Sequence, residues 1–433
     1  MIRSLRTGVS GLKSNQVRMD VIGNNIANTN TAAFKRSRVA FNELLGQRLL
    51  GLGRSSGGSG INPASIGTGV AIGSVDQDWS QGTFEYTNVG TDLALSGDGY
   101  FIAKGGDGNM LTRAGNFTFN ADGELVTAGG LAVQGWKYNL DGTLNTGQLQ
   151  NIRLDLEVNA APKETANVGV SGNLSSDVAP APLDPAADPQ PFASQTTVST
   201  VVYDNQGKAH TIVLTLQKTN IDEWAVASAE IAGDAAATPP VPPTPLTVED
   251  ASGNPATVSF GQDGSITGTT DFTISGADWP DSNGDGVALQ LDLGEMTQYG
   301  GSTTVTISGQ DGQAAGRLVG YGIDPSGTLS LNFSNGEQRN VAQIAIGMVN
   351  NPNGLEQRGE NFYLVTSAAG DLLIGRAGQE VNTSVIAGAL ESSNVDLAAE
   401  FTDMIVTQRG YQASARVITT SDELLQELVQ LKR

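Results

Sequence analysis

The chain has no cysteine and a single histidine, and only 16% of its residues are charged. The lack of cysteine excludes disulfides, thiolate catalysis and cysteine-based metal sites, and one histidine is too few for a histidine-rich zinc site. No uninterrupted run of 18 apolar residues occurs, so we expect no membrane-spanning helix. The first residues also lack the apolar segment and cleavage site of a secretory signal. We therefore expect either a cytoplasmic protein or one exported by another route.

What the chain does contain is glycine and negative charge. Its 433 residues include 55 glycines, and the net charge is −21. Residues 1–54 nevertheless carry +7. A net acidic chain is poorly suited to nucleic-acid binding, which needs clustered Lys and Arg. The basic start is either a solvated helical face or a partner-binding face, and the sequence leaves both open.

Each end of the chain has a heptad pattern of apolar residues. Spacings of three and four, with most basic side chains off the stripe, predict a coiled-coil seam on a helix. We predict the amino-terminal seam at Ile2, Leu5, Val9, Leu12, Met19 and Ile26, with Gln16 and Gly23 in register. We predict the carboxyl-terminal seam at Leu397, Phe401, Met404, Tyr411, Ile418, Leu425 and Val429, with Asn394 as the preceding helix cap.

Between the ends the pattern is that of β-structure. Asp-Gly pairs at 98–99, 107–108, 122–123 and 141–142 mark turns between alternating segments. A second β region contains two strands around Asn205-Gln206-Gly207. Two Pro/Ala-rich segments, 179–191 and 235–246, are predicted to be surface loops that form no strand. The order helix, β, inserted β, β, helix predicts an α+β fold in which the terminal helices form a coiled-coil core and the mainly-β domains are nested outside it.

No catalytic, cofactor or metal site is predicted. Residues 281–292 match several calcium-loop positions, but Asp292 replaces the usual glutamate and Pro280 precludes an entering helix, so we interpret the segment as a turn. His210 lies within an alternating strand, and we expect it to be half-buried or exposed. Carboxylates are numerous, so counting them does not exclude a glycosidase, which uses a pair of them. Such enzymes usually line their clefts with aromatic side chains, however, and the four tryptophans here are scattered along the sequence.

Three segments resemble bacterial flagellar rod and hook proteins. Residues 24–45, "NNIANTNTAAFKRSRVAFNELL", look like the amino-terminal signature of this family. Residues 93–136 are similar to its shared β domain, and 388–433 to its carboxyl-terminal region. The insert with "VVYDNQGKAHTIVLTL" resembles the outer domain of the hook members. Together they cover about half of the chain, in order.

The resemblance implies a structural subunit, not an enzyme, that polymerises into a curved tubular joint between rod and filament. It implies export through the flagellar type III apparatus without a cleavable signal, and an extracellular location. Implied partners are further copies of the chain, the distal rod protein, the hook cap and the hook–filament junction proteins. The alternatives are a distal rod subunit of the same family, or a secreted acidic β-rich adhesin or glycan-binding protein.

The nested pattern predicts domain limits. These are a helical core at 1–30 plus 390–433, a connector at 31–70, an inner β domain at 71–158 plus 312–389, and an inserted outer domain at 159–311. We predict that the turn and connector contribute assembly contacts through Asn24, Asn25, Asn28, Asn30, Phe34 and Phe41, with Leu44 and Leu45 as further apolar anchors. A simple helix stop is the alternative interpretation of the asparagine run.

Overall fold

The protein is described here by a computed structural model. It covers residues 2–45, 47–50, 64–106, 108–139, 141–155, 157–181, 194–233, 242–279 and 286–430. The chain divides into two compact units. Unit 1 comprises 1–156, 321–331 and 339–433, and unit 2 comprises 157–320 and 332–338.

The two predicted helices are present at the ends of unit 1. Helix α1 spans Ile2–Ala27 and helix α2 spans Leu397–Gln430. At 34 residues, α2 is about 50 Å long. Within the described residues, neither helix has an apolar stretch of sufficient length to span a bilayer.

The cap of α2 is not the residue that the sequence predicted. The Asp396 carboxylate accepts the backbone N–H groups of Ala398 and Ala399 at 2.8 and 3.3 Å, so Asp396 is the N-cap. Asn394 instead binds outside the helix, where its Oδ1 accepts the backbone N–H of Arg36 at 2.8 Å. The prediction was wrong because Asn and Asp are both good caps, and the sequence pattern alone does not say which begins the helix.

Unit 1 is otherwise antiparallel β-structure. Its strands before the insert are β1 (Ser37–Glu43), β2 (Gln47–Leu50), β3 (Ala64–Ile66), β4 (Val70–Gln77), β5 (Phe84–Tyr86), β6 (Leu93–Gly97), β7 (Tyr100–Gly105), β8 (Gly108–Thr112), β9 (Thr118–Phe119), β10 (Leu125–Val126), β11 (Ala132–Tyr138) and β12 (Leu144–Asn151).

The strands of unit 1 after the insert are β26 (Ile346–Met348), β27 (Glu356–Gly359), β28 (Phe362–Leu364), β29 (Leu373–Gly375), β30 (Thr383–Ala387) and β31 (Ala389–Glu391). Its main sheet has the neighbour order β11-β7-β8-β28-β27, and β1 pairs with β4 in a separate ribbon. Buried strands such as Leu93–Gly97 and Tyr100–Gly105 supply the core, in which Phe101 packs edge-on against Phe117 at 5.0 Å. A glycine in the left-handed region, Gly123 (φ 76°), closes the predicted turn at 122–123.

Unit 2 has its own sheet and core. Its strands are β13 (Asn159–Ala160), β14 (Asn167–Ser175), β15 (Gln195–Tyr203), β16 (Ala209–Asn220), β17 (Glu223–Ile231), β18 (Thr244–Glu249), β19 (Thr257–Ser259), β20 (Asp271–Asp278), β21 (Gly286–Tyr299) and β22 (Thr306–Gln310). Three further strands contain residues of both units: β23 (Gly316–Ile323), β24 (Thr328–Phe333) and β25 (Gln338–Ile344).

The unit 2 sheet runs β15-β16-β17-β18-β20-β21-β14-β22, antiparallel except for the parallel pair β14–β21. Along β21 buried and exposed residues alternate without a break from Gly286 to Leu293, as period-2 patterning requires of a strand with one covered face. The covered face joins one apolar cluster that includes Trp224, Phe272 and Leu289. The predicted hairpin around Asn205-Gln206-Gly207 is confirmed, with Tyr203 paired to Ala209.

Several local expectations need correction. Thr244, Pro245 and Leu246 belong to strand β18 although they end a Pro-rich segment, and Pro245 is the second residue of that strand, near the strand start where proline is tolerated. His210 lies in a strand but is buried, stacked on Trp279 at 4.9 Å. Residues 31–70, predicted as a connector, include strands β1 to β3. Residues 281–285 of the calcium-like segment lie outside the described residues, and Gly286 and Asp292 lie in β21.

Candidate assembly surface

The asparagine run forms the end of α1 and ties it to the first strand. Asn28 N–H donates to the carbonyl oxygens of Asn24 and Asn25, and its side-chain amide donates to Asn24 O at 2.9 Å. The Asn25 amide donates to Ser37 O at 2.8 Å and accepts Ser37 N–H at 3.0 Å. Asn25 is buried, whereas Asn24 and Asn30 are exposed. One of the four predicted asparagines therefore clearly joins helix to strand, while two point to solvent.

Charged side chains fix α1 and β1 to the start of α2. Glu400 is buried and is paired with Arg36, and it also accepts from the Asn25 amide at 3.3 Å. Asp403 lies 3.3 Å from Arg18 and 3.4 Å from Arg36. Both carboxylates lie near the N-terminal end of α2, where the helix dipole favours negative charge. These contacts connect residues more than 350 positions apart in the chain.

A second charged cluster is fully buried beside the first. Lys35 Nζ donates to Glu391 Oε1 at 2.7 Å and to Ser80 O at 2.8 Å. Arg113 donates to Glu391 Oε2 at 3.4 Å and to Gly97 O at 2.6 Å. Burial lowers the pKa of Lys35 below its usual range, and the Glu391 carboxylate opposes that change. The cluster joins Lys35 to Glu391, and removing one partner would leave a buried charge unpaired at a high cost in stability.

The helices pack antiparallel through small and polar residues. A Cβ atom on Gly8 would lie 3.0 Å from Ile418 Cγ1 and 3.3 Å from Ser414 O, and one on Gly11 would lie 3.0 Å from Ser414 Oγ. At the far end, Ser421 donates to Ser4 at 3.2 Å. The contacts of α1 with α2 therefore follow residues 4, 8, 11, 15, 18 and 25, each one position before a residue in register with the predicted seam.

That displacement leaves the predicted seams incompletely covered within one chain. Half-buried seam residues are Leu5, Val9, Leu12, Met19, Ile26, Met404, Tyr411, Ile418 and Leu425. Leu397, Phe401 and Val429 are exposed, as are Ile405, Val406 and Leu424 beside them. Phe401 is 52% exposed and Ile405 60%. The side chain of Ile2 lies outside what the structure describes.

The apolar residues that follow the asparagine turn are also partly buried and partly exposed. Phe34 is 6% exposed and so belongs to the chain's own core. Phe41 and Leu44 are exposed, and Leu45 is 94% exposed. On the paired strand β4, Val70, Ile72 and Val75 are exposed too. The ribbon of β1 and β4 and the outer face of α2 thus present two apolar surfaces.

Sequence reasoning identified the helices and the asparagine turn but missed the buried charges. In the sequence, Lys35 and Arg36 belong to a basic segment, and no local spacing marks Glu391 or Glu400 as their partners. For the contact face of the two helices a signal was available. The spacing of the small residues Gly8, Gly11 and Gly410 indicates where the helices approach each other closely.

Four protein-family models match the chain in order. They are described as flagella basal body rod protein (residues 5–35), flagellar hook protein FlgE/F/G D1 domain (94–175), flagellar basal body protein FlaE D2 domain (173–313) and flagellar basal body rod FlgEFG protein C-terminal (386–431). They span the terminal helices and both units.

Curated relatives match along the whole length. The chain is 35% identical to the flagellar hook protein FlgE of Treponema pallidum and 36% identical to that of Borreliella burgdorferi, with all of both chains covered in each case. It is 32% identical to the hook protein FlgE of Salmonella typhimurium, covering 99% of this chain and 100% of the relative. The crystal structure of Helicobacter pylori flagellar hook protein FlgE2 is similar in fold, with a TM-score of 0.50 at 16% identity over 71% of this chain and 100% of that one.

Proposed function

The chain belongs to the flagellar hook protein family, and we propose that it is a subunit of the flagellar hook that polymerises into a curved, flexible tube joining rod and filament. The observation that carries this proposal is the identity of 32–36% to hook proteins over essentially the whole chain. The adhesin and glycan-binding alternative has no comparable support, and the distal rod alternative is not favoured by relatives that are all named as hook proteins.

Polymerisation would use the surfaces that one chain leaves uncovered. On α2, Leu397, Phe401 and Ile405 are exposed at intervals of four residues and so form an apolar stripe, here called the outer stripe, on a face that α1 does not occupy. An exposed apolar stripe of this kind is typical of an interface. We propose that the outer stripe packs on helices of neighbouring copies in coiled-coil fashion, through heterologous contacts that do not close and so build an open helix.

The finer parts of the function are also proposals. As a hook subunit the chain would pass through the flagellar type III export apparatus and reach an extracellular position without a cleavable signal. It would contact the distal rod protein at one end of the tube, the hook cap during growth, and the junction proteins at the filament end. The absence of cysteine suits a chain that crosses a narrow channel unfolded.

The test is a pair of charge-neutral surface variants in the full-length protein. The double variant Phe401→Gln and Ile405→Gln removes apolar area from the outer stripe without touching α1, and polymers should be lost under the electron microscope. The control, Ile221→Gln, changes an apolar residue of unit 2 that is 67% exposed and should still form tubes. Equal polymerisation by both proteins would refute the stripe as the assembly surface, and straight wild-type tubes would indicate a rod subunit.

A further inference from the structure

Two segments near the ends of the main part of unit 2, residues 157–320, pair with each other. Residues 159–165 and 311–317, here called the neck, run antiparallel, with Asn159 opposite Arg317 and Ala160 opposite Gly316. Further along, Lys163 and Gln313 exchange backbone hydrogen bonds of 3.0 and 2.8 Å. The neck is short, so its own ladder supplies few bonds to hold it closed.

Thr165 links the neck to the β15–β16 hairpin. Its backbone N–H donates to Tyr203 O at 3.0 Å, and its hydroxyl accepts the Tyr203 N–H at 2.8 Å. The same hydroxyl donates to Gln310 Oε1 at 3.2 Å. Thr165 is completely buried. One side chain therefore contacts the hairpin and the strand that leads into the second neck segment.

The tip of that hairpin, residues 204–208, rests on both neck segments. A Cβ atom on Gly207 would lie 2.6 Å from Pro162 Cβ and 3.0 Å from Ala315 N. The tip is itself shaped by Asp204, whose Oδ1 accepts the N–H groups of Gln206 and Lys208 at 2.9 and 2.8 Å. Asp204 Oδ2 lies 3.1 Å from His210 Nε2, and the imidazole stacks on Trp279. The buried histidine thus supports a turn that contacts the neck.

We propose that this hairpin tip is a latch that keeps the two neck segments paired, so that opening of the neck requires displacement of the tip. The proposal concerns a conformational device within unit 2. It goes beyond the subunit function and does not depend on it, because every contact invoked lies within residues 159–317.

The chain contains a matched control for the latch glycine. Gly253 closes an equivalent turn at φ +80°, against +79° for Gly207, and its N–H donates to Asp250 O at 2.9 Å as that of Gly207 donates to Asp204 O at 3.0 Å. Asp250 Oδ1 accepts two backbone N–H groups, as Asp204 does. A Cβ atom on Gly253, however, would meet nothing within 4 Å. Alanine at the two positions has the same backbone strain, but only Gly207→Ala displaces the latch.

The experiment is amide hydrogen exchange on the soluble full-length chain. In Gly207→Ala, the amides of Lys163, Thr165 and Gln313 should exchange roughly tenfold faster than in Gly253→Ala, with equal protection of the β20–β21 ladder in the two variants. Equal exchange of the three neck amides in both proteins would overturn the proposal.

A second pair of variants guards against misfolding of the first. Asp204→Ala removes the acceptor that shapes the latch, and Asp250→Ala removes its counterpart in the control turn. Faster neck exchange in Asp204→Ala alone supports the latch, while faster exchange in both or in neither contradicts it. Because monomers are measured, a failure to polymerise would bear on the hook function and leave this result unaffected.

Discussion

The terminal helices and unit 2 are stabilised in opposite ways. The described residues of unit 2 enclose a large apolar cluster, and β21 alternates buried and exposed residues through its first eight positions. The helices meet largely through glycines, serines and charged groups, and several large apolar side chains of α2, among them Phe401 and Ile405, are exposed. We therefore expect unit 2, which buries its apolar residues, to fold by itself, and the helices, which expose theirs, to reach their final stability only with partners. The predictions below test this comparison.

The largest effect is expected where the chain ends are joined by buried charge. Glu391→Gln would leave Lys35 and Arg113 without their carboxylate in the interior, which should lower the free energy of unfolding of unit 1 by about 3–5 kcal/mol. Urea unfolding of the soluble chain measures this change. The matched control is Glu380→Gln, which breaks the exposed Arg376–Glu380 pair and should cost at most about 1 kcal/mol. Similar losses in the two variants would mean that burial does not set the value of these ion pairs.

The next effect compares a buried leucine of unit 2 with an exposed leucine of α2 under the same substitution. Leu289 is 0% exposed in unit 2, and Leu424 is 48% exposed on α2. Leu289→Ala should destabilise unit 2 by about 2–5 kcal/mol through lost burial and a residual cavity. Leu424→Ala should change the stability of the monomer by less than about 0.5 kcal/mol. Thermal unfolding compares the two, and a large loss for Leu424→Ala in the monomer would show that the helices are already complete in one chain.

The sequence predicts the local elements of this molecule better than the contacts between its two ends. The two helices and the hairpin at Asn205-Gln206-Gly207 follow from local periodicity and turn chemistry. The face by which α1 meets α2 does not, because a heptad count weighs apolar area and ignores the closer approach that Gly8 and Gly11 allow. The pairing of Lys35 with Glu391 was equally out of reach, since the two residues are 356 positions apart and no local spacing or periodicity links them. The seam residues remain predicted assembly contacts.

The close approach of α1 to α2 predicts an effect of intermediate size. Gly8→Leu would force a side chain into the space that Ile418 and Ser414 occupy, and it should destabilise the pairing of α1 with α2 by about 1–3 kcal/mol. Limited proteolysis of the chain ends reports the change. Gly23→Ala is the control in the same helix, because a Cβ there meets nothing within 4 Å. It should stabilise α1 by about 0.5–1 kcal/mol through helix propensity. Protection of the ends by Gly8→Leu would contradict close packing at that point.

The smallest predicted effect is the loss of stability of unit 2 at low pH, through a carboxylate in the neck. Although burial opposes it, hydrogen bonds from the backbone N–H groups of Asn167 and Ala166 hold the pKa of Asp311 at about 2. A carboxylate whose pKa is lower in the folded than in the unfolded state stabilises the fold fully above about 4, and that contribution disappears as the pH falls through about 2. Unit 2 should therefore lose about 1–2 kcal/mol from this group between pH 4 and pH 2. Asp311→Asn should remove that part of the pH dependence, as measured by urea unfolding at each pH. If the variant kept the wild-type acid profile, the neck would not depend on this carboxylate, and the stability of unit 2 would rest on its apolar cluster alone.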